Sequence, residues 1–551
     1  EGISPRTIRR IVKTALDRAA DRMPDPLPTA LRRSLGLLPL AEALRTYHYP
    51  DSAQAQEDAR RRLAFEELLL IQLGVLSQRR NRQQEHARPL AIDRACLAGF
   101  LAALPFALTG VQQRALEEIV HDLQRPRPMS RLLQGDVGSG KTVVAAAALV
   151  LALCDGMQGA IMAPTEILAE QHARNLGALL ERGGGLAWDG GYLPPYLHTL
   201  GRSVQVALLV GSLSAREKEE VRSRIAAGQV DLVVGTHALI QEEVAFSRLG
   251  LVVIDEQHRF GVAQRWTLRQ KGDSPHVLVM TATPIPRTLA LTLYGDLDVS
   301  VLDELPPGRQ PIITRWLRPT QRREAYRFVR EQVRAGRQAF VICPLVEESE
   351  VIEARAATAE YERLSREVFP DLRLGLLHGR MSAQEKDRCM RQFREVETHI
   401  LVSTSVVEVG IDVPNATVML VEGADRFGLA QLHQFRGRVG RGAHQSHCLL
   451  LADDPSPEAQ ERLAILERTQ DGFVLAEEDL RLRGPGEFFG TRQTGLPAFR
   501  LARLSDFDLM ELARQEAETL LAQDPHLAAP EHQELARARA RIWTPGAGDV
   551  S

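Results

Sequence analysis

Short apolar runs rich in β-branched residues recur along the middle of the chain at 159–163, 205–210, 231–235, 251–254 and 276–280, separated by segments of helix size. The same alternation returns between about 311 and 451, through 339–343, 374–377, 400–403 and 418–421. Continuous apolar runs are what strands look like when both faces are covered, so the pattern predicts parallel sheets flanked by helices. Ahead of them, residues 1–85 carry helical periodicity. Arg6, Arg9, Arg10 and Lys13 share one helical face, a Pro-rich stretch at 23–28 interrupts, and 54–80 reads as one long amphipathic helix using Leu63, Leu68 and Leu69. The arginine clusters at 60–62 and 79–80 read as its solvated face.

The two alternating regions also match each other. Residues 208–218 align without a gap on 376–386, an offset of 168 that also carries 232–236 onto 400–404. Each copy pairs a strand with a capping box, Ser214 with Glu217 and Ser382 with Glu385, which supplies acceptors for the free donors of a helix start. The repeat predicts a duplicated α/β module.

Composition narrows the class only a little. A chain of 551 residues has room for three or four domains. Its formal net charge of -3 and 25% charged residues give no global pull toward a polyanion. Residues 1–100 nevertheless hold 17 Lys/Arg against 12 Asp/Glu, so any such contact relies on local patches. Five dispersed cysteines without a C-x-x-C pair predict a reducing compartment, with neither a disulfide framework nor a zinc site. The apolar run 143–154 is too short to span a bilayer and residues 1–30 lack a signal-peptide pattern, which predicts a cytoplasmic protein with no membrane partner. Residues 183–201, rich in Gly, Tyr and Pro, read as a flexible surface insertion.

Candidate chemistry then enters on one stretch. Gly135, Asp136, Val137, Gly138, Ser139, Gly140, Lys141 and Thr142 fit G-x-x-x-x-G-K-[ST] between an apolar run and an Ala/Val/Leu helix. Glycines let successive N–H groups curl around phosphate oxygens, Lys141 reaches the β/γ-phosphates, and the Thr142 hydroxyl binds Mg²⁺. The strand 251–254 delivers Asp255 and Glu256 to its C-terminal end, where open α/β sheets hold ligands. Asp255 suits the metal, and Glu256 suits the orientation and deprotonation of a water. Further on, Gln434, Arg438 and Arg441 lie in a Gly-punctuated basic stretch, and the spacing of the two arginines suits fingers that neutralise γ-phosphoryl charge.

These stretches, with Ala163-Pro164-Thr165, Thr281-Ala282-Thr283 and 404–414, resemble the ordered motifs of superfamily 2 helicases over roughly residues 100–455. The resemblance implies two RecA-like domains with ATP in the cleft between them. It implies that Phe106 and Gln112 face the adenine, and that Gly410, Asp412 and His258 meet the nucleotide, with His258 linking it to the second domain. Pro164, Thr165, Gly235, Thr236 and Thr404 would lie along a DNA backbone. Residues 477–495 narrow the family, because they resemble the translocation motif shared by the RecG branched-DNA helicases and the transcription-repair coupling factor, in a form closer to RecG. There Arg483, Arg492 and Gln493 would couple ATP-driven closure to movement of duplex DNA.

The expected organisation is a helical linker region at 1–85, a nucleotide-binding RecA-like domain at 86–303, a second at 304–455, and a translocation-motif and helical region at 456–551. RecG proteins carry a wedge domain ahead of the linker, and residues 1–551 resemble the linker, motor and translocation motif only. The implied function is an ATP- and Mg²⁺-dependent DNA translocase acting on forks and Holliday junctions, as a monomer associated with the nucleoid and with single-strand DNA-binding protein as a further partner. With aromatic residues at 5%, base-stacking platforms are scarce, which favours tracking a duplex backbone. The alternatives are the motor of a transcription-repair translocase, an RNA helicase, a motor fragment that hydrolyses ATP without unwinding, and a nucleotide-gated binding module.

Overall fold

The computed structural model describes residues 4–83, 85–181, 192–241, 243–256, 271–272, 274–282, 297–304, 306, 310–343, 350–404, 413–483, 500–503 and 506–542. The chain divides into two compact units, one made of residues 1–86, 286–298 and 483–551 and the other of 87–285 and 299–482.

The larger unit holds two mainly parallel sheets. The strands are β1 (Ser130–Gly135), β2 (Gln158–Met162), β3 (Tyr192–Leu193), β4 (Tyr196–Leu197), β5 (Arg202–Ser203), β6 (Val206–Leu209), β7 (Leu232–Gly235), β8 (Leu249–Ile254), β9 (His276–Thr281), β10 (Asp298–Leu302), β11 (Ile313–Leu317), β12 (Gln338–Ile342), β13 (Leu374–Leu377), β14 (Ile400–Ser403), β15 (Ala416–Val421) and β16 (His447–Leu451). The first sheet runs β10-β1-β9-β8-β2-β7-β6-β3 and the second β11-β16-β15-β12-β14-β13. Burial on both faces is visible residue by residue in the second. Phe340, Ile342, Met419, Val421, Cys448 and Leu450 enter one core, while their neighbours Ala339, Val341, Val418, Leu420, Leu449 and Leu451 enter the other. This is the period of two expected of a pleated strand between two helix layers. Six strands among the described residues escaped the sequence reading: β3, β4 and β5 within 192–203, and β10, β11 and β16, each at or beside a sheet edge.

The repeat read from the sequence has a physical counterpart. Both capping boxes form, and in each copy the lysine that follows folds back onto a glycine carbonyl, Lys218 onto Gly211 at 2.6 Å and Lys386 onto Gly379 at 2.7 Å.

The smaller unit is helical. Its long helix Ala53–Gln83 packs against Leu40–His48, Phe507–Gln523 and Gln533–Ile542. Here the expectation of a solvated arginine face is corrected at Arg60 and Arg62, while Arg61 and Arg80 are exposed. Arg62 is fully buried, with Nη2 2.5 Å from Asp25, Nη1 2.7 Å from Glu66 and Nε donating to the Leu38 carbonyl at 3.0 Å. Arg60 is bound by Asp506 at 2.8 Å and Glu57 at 2.6 Å. A planar guanidinium with matched acceptors can be buried where an unpaired one cannot.

Two further corrections concern the larger unit. Residues 192–201 are not a loose insertion: β3 pairs antiparallel with β6, β4 pairs with β5, and Leu193 and Leu197 enter the core. Thr199 lies over Gly99, where a side chain at 99 would collide with its methyl group. Cysteine spacing also misled, because the packing of the helix Arg94–Ala103 on Lys141–Cys154 joins Cys96 to Cys154 across 58 residues of sequence. Cys343, Cys389 and Cys448 are free and buried. No helix among the described residues is long and apolar enough to cross a membrane.

Candidate nucleotide site

Strand β1 ends at Gly135 and the helix Lys141–Cys154 begins six residues later, with the phosphate-type loop between them. Gly138 and Gly140 adopt φ of 80° and 83°, a left-handed conformation that costs an L side chain about 1–2 kcal/mol. At Gly140 a Cβ would also meet the Gln112 amide. Lys141 is buried, and its Nζ donates to the Gly135 carbonyl at 2.8 Å and the Asp136 carbonyl at 2.9 Å. Burial pushes this ammonium below its ordinary pKa, against the pull of Glu256, Asp255 and Asp136. The Ser139 hydroxyl is buried without a hydrogen-bond partner among the described residues. Left-handed glycines ahead of a helix start, with an unmet hydroxyl between them, suit a phosphate group. Thr142 is half-buried at the helix start.

Gln112 is more committed than the sequence implied. Its Oε1 accepts from the Thr109 N–H at 2.9 Å and its Nε2 donates to the Ser139 carbonyl at 2.8 Å, so the amide ties the helix Gly110–Leu123 to the loop. Phe106 is 48% exposed and available to stack.

Strand β8 lies two strands from β1, so its end delivers the two acids to the same sheet edge. Asp255 is buried, and His172 Nε2 sits 2.6 Å from its Oδ2. Burial alone would raise the Asp255 pKa, but His172 and Lys141 hold it below the ordinary carboxylate value. Glu256 behaves oppositely: burial first, and then the Asp255 charge, push it up to about 7 against Lys141 and Arg438. Its φ is 50°, a strained value for a non-glycine residue and of a kind that clusters at functional sites. The pair is therefore one carboxylate held ionised and one carboxyl poised near neutrality.

The second sheet contributes the cations. The helix Leu429–Arg436 stops one residue before Gly437, so Arg438 and Arg441 lie on the turn that follows rather than on the helix itself. Gly440, at φ 78°, shapes that turn. Arg438 is buried and its charge acts on Glu256, while that of Arg441 acts on Lys141. Gln434 is buried on the same helix. The approach is close enough that a Cβ on Gly437 would lie 2.9 Å from that of Val137. Asp136 Oδ1 accepts from the Val137 N–H at 2.6 Å and stands 2.6 Å from His433 Nε2.

Along the same edge, Thr165 caps the helix Glu166–Leu180, next to Pro164. Gly235 passes so near the Leu209 carbonyl that a Cβ would lie 2.3 Å from it, and Thr236 follows. Thr404 is buried at the end of β14, with its hydroxyl unpartnered among the described residues. Arg483 ends the helix Gly472–Arg483. His258, Gly410, Asp412, Arg492 and Gln493 lie outside the described residues. His172 and His433 were missed from sequence. His433 adjoins the arginine stretch, but His172 reads as one more position on a buried helix face.

Two tandem RecA-like sheets, with a phosphate-type loop on one and arginines reaching it from the other, define the helicase class of P-loop proteins. The DEAD/DEAH box helicase family matches residues 109–292, the helicase conserved C-terminal domain 323–443, and the C-terminal part of RecG domain 3 residues 469–542. The chain is 50% identical over 532 residues to the ATP-dependent DNA helicase RecG of Synechocystis sp., covering 96% of this chain and 62% of that protein. To its Bacillus subtilis counterpart it is 48% identical over 537 residues, covering 97% and 76%. The solved structure of RecG bound to a three-way DNA junction superposes with a TM-score of 0.74 at 43% identity, covering 93% of this chain and 65% of that one. The chain belongs to the RecG family, whose members are named for their use of ATP, and it spans about two thirds to three quarters of its relatives' length.

Proposed function

We propose that this chain is an ATP-hydrolysing motor that translocates on duplex DNA and remodels branched substrates such as stalled forks and Holliday junctions. What supports the reading is that Gly437 packs against Val137 of the loop, and that from the turn beyond it the charge of Arg438 acts on Glu256 and that of Arg441 on Lys141. Hydrolysis needs a base, an ionised metal carboxylate and cations for the γ-phosphoryl charge, roles that Glu256, Asp255 and Arg438 with Arg441 suit.

In this reading Lys141 and the loop N–H groups hold the phosphates, while Thr142 and Asp255 hold Mg²⁺. A metal held there would supply neutralisation of β/γ-phosphate charge. Glu256 takes the proton of the attacking water, Gln434 positions the γ-phosphoryl group, and Arg438 and Arg441 stabilise the charge that develops. Phe106 and Gln112 flank the base, and Gly410, Asp412 and His258 sense its phosphates. Pro164, Thr165, Gly235, Thr236 and Thr404 track a DNA backbone, while Arg483, Arg492 and Gln493 convert closure into movement. The four-part division at 85, 303 and 455 belongs to the same proposal, as do a monomeric state, a cytoplasmic, nucleoid-associated location and a single-strand DNA-binding protein as partner.

ATP turnover with a fork, a linear duplex, a single strand and RNA, measured side by side, tests the reading. The expected result is strongest stimulation by the fork and none by RNA. Stimulation by RNA alone contradicts it.

A further inference from the structure

The disulfide between Cys96 and Cys154 closes a stretch of chain that contains Phe106, Gln112 and the whole loop 135–142. Cys96 lies in the first turn of the helix Arg94–Ala103, which runs toward Phe106, and Cys154 is the last residue of the helix that begins at Lys141. The bond thus ties the segment ahead of Phe106 to the far end of the phosphate helix. Noncovalent contacts hold the first helix as well. Asp93 accepts from the Ala95 and Cys96 N–H groups at 2.9 and 3.0 Å, Leu97 and Phe100 enter the core, and Arg94 pairs with Glu117 at 2.6 Å. Opening the bond should therefore loosen this helix without unfolding the domain.

The five cysteines differ in access. Cys154 is half-buried, whereas Cys96, Cys343, Cys389 and Cys448 are buried. Burial pushes the three free thiols up, Cys389 to about 11 and Cys448 to about 12, which leaves almost no thiolate to react. A small thiol that reaches this chain therefore meets the disulfide at its Cys154 sulfur. In a reducing compartment, which the cysteine spacing predicts, a disulfide is usually transient and catalytic or redox-sensing rather than a permanent staple.

We propose that Cys96 and Cys154 form a reversible site for exchange with a low-molecular-weight thiol and its disulfide, and that the state of this site sets how firmly residues 94–112 are held. The inference rests on the nucleotide reading above only for its effect on ATP. To open the bond, a small thiolate attacks the Cys154 sulfur, the bond to Cys96 breaks, and Cys96 leaves as a thiolate that takes up a proton. A second small thiolate attacks the mixed disulfide, releasing the small disulfide and a Cys154 thiolate that is protonated in turn. Two electrons pass from the small thiols to the protein pair, and excess small disulfide runs the same steps backward. The closed bond removes open conformations of the stretch it bridges. The oxidised form should hold Phe106 and Gln112 more firmly and bind ATP more tightly.

The full chain, equilibrated against mixtures of reduced and oxidised glutathione, tests this. After acid quenching and alkylation, mass spectrometry should find the peptides of Cys96 and Cys154 linked at the oxidised end and separately alkylated at the reduced end. A pair never linked, or still linked under a large excess of the thiol, overturns the proposal. Hydrogen exchange at 94–112 should be at least about threefold faster in the reduced form, the mark of an easier local opening. Cys154→Ser should show the reduced rate in every mixture. Equal rates in the two wild-type forms overturn the proposal, and that comparison stands by itself should the variant fold poorly. The Kd for ATP should rise on reduction in the same proportion, and equal affinity in the two forms overturns the link to the site. No ATP binding by either form, with the exchange difference intact, overturns the nucleotide reading and leaves the redox site standing.

Discussion

His172 Nε2 donates to Asp255 Oδ2 across 2.6 Å, with both side chains buried. The imidazole fixes the carboxylate's direction and helps keep it ionised against burial. Groups that orient a metal-binding residue typically contribute 10–100-fold to metal affinity. His172→Ala should therefore raise the half-saturating Mg²⁺ concentration for ATP turnover by about tenfold or more, with His172→Gln recovering part of the loss. An unchanged Mg²⁺ requirement would assign His172 to packing alone.

Glu256 supplies a pH prediction. Burial and the neighbouring Asp255 charge raise its pKa to about 7. A base works only when ionised, so kcat/KM should climb tenfold per pH unit below that value and level off above it. Glu256→Gln should abolish the reaction. A profile flat from pH 6 to 8 would show that another group titrates.

Gly437 gives a steric prediction. Its φ of -66° suits any residue, so the demand for glycine comes from the Val137 side chain against it. Gly437→Ala should leave folding near wild type and hold the arginine turn away from the loop, lowering turnover with little effect on nucleotide affinity. Measurement of kcat and nucleotide Kd on the same preparation decides it.

Much of this arrangement was legible in the sequence, and the exceptions share a cause. Buried strands announce themselves through continuous apolar runs, and the loop Gly135–Thr142 through a residue-by-residue requirement for small backbone and cations. The module repeat was visible because both copies keep the capping serine, the glutamate and the lysine that folds back. What stayed hidden depends on partners remote in sequence. Arg62 looks solvated until Asp25, 37 residues away, is brought beside it. Cys96 and Cys154 look unrelated until two helices pack, and His172 looks like core until Asp255, 83 residues on, arrives at its ring. Edge strands such as β3, β10 and β11 are short or only partly buried, so their apolar signal is weak.

Arg62 also sets a stability prediction. Removing the buried arginine of such a cluster costs up to about 3–5 kcal/mol, because the half-buried Asp25 and Glu66 carboxylates are left without their partner. Arg62→Ala should shift chemical unfolding of the helical unit by that amount and leave nucleotide binding by the other unit intact. A loss below about 1 kcal/mol, the scale of an exposed pair, would mean that the cluster is open to water.

Turnover and nucleotide affinity of Arg438→Ala test the central claim most directly, because that side chain belongs to the second sheet and acts on a carboxylate of the first. The account predicts a nucleotide Kd within about twofold of wild type and a DNA-stimulated kcat lower by about 10³-fold, the usual cost of losing an arginine finger. Wild-type turnover in this variant would contradict it.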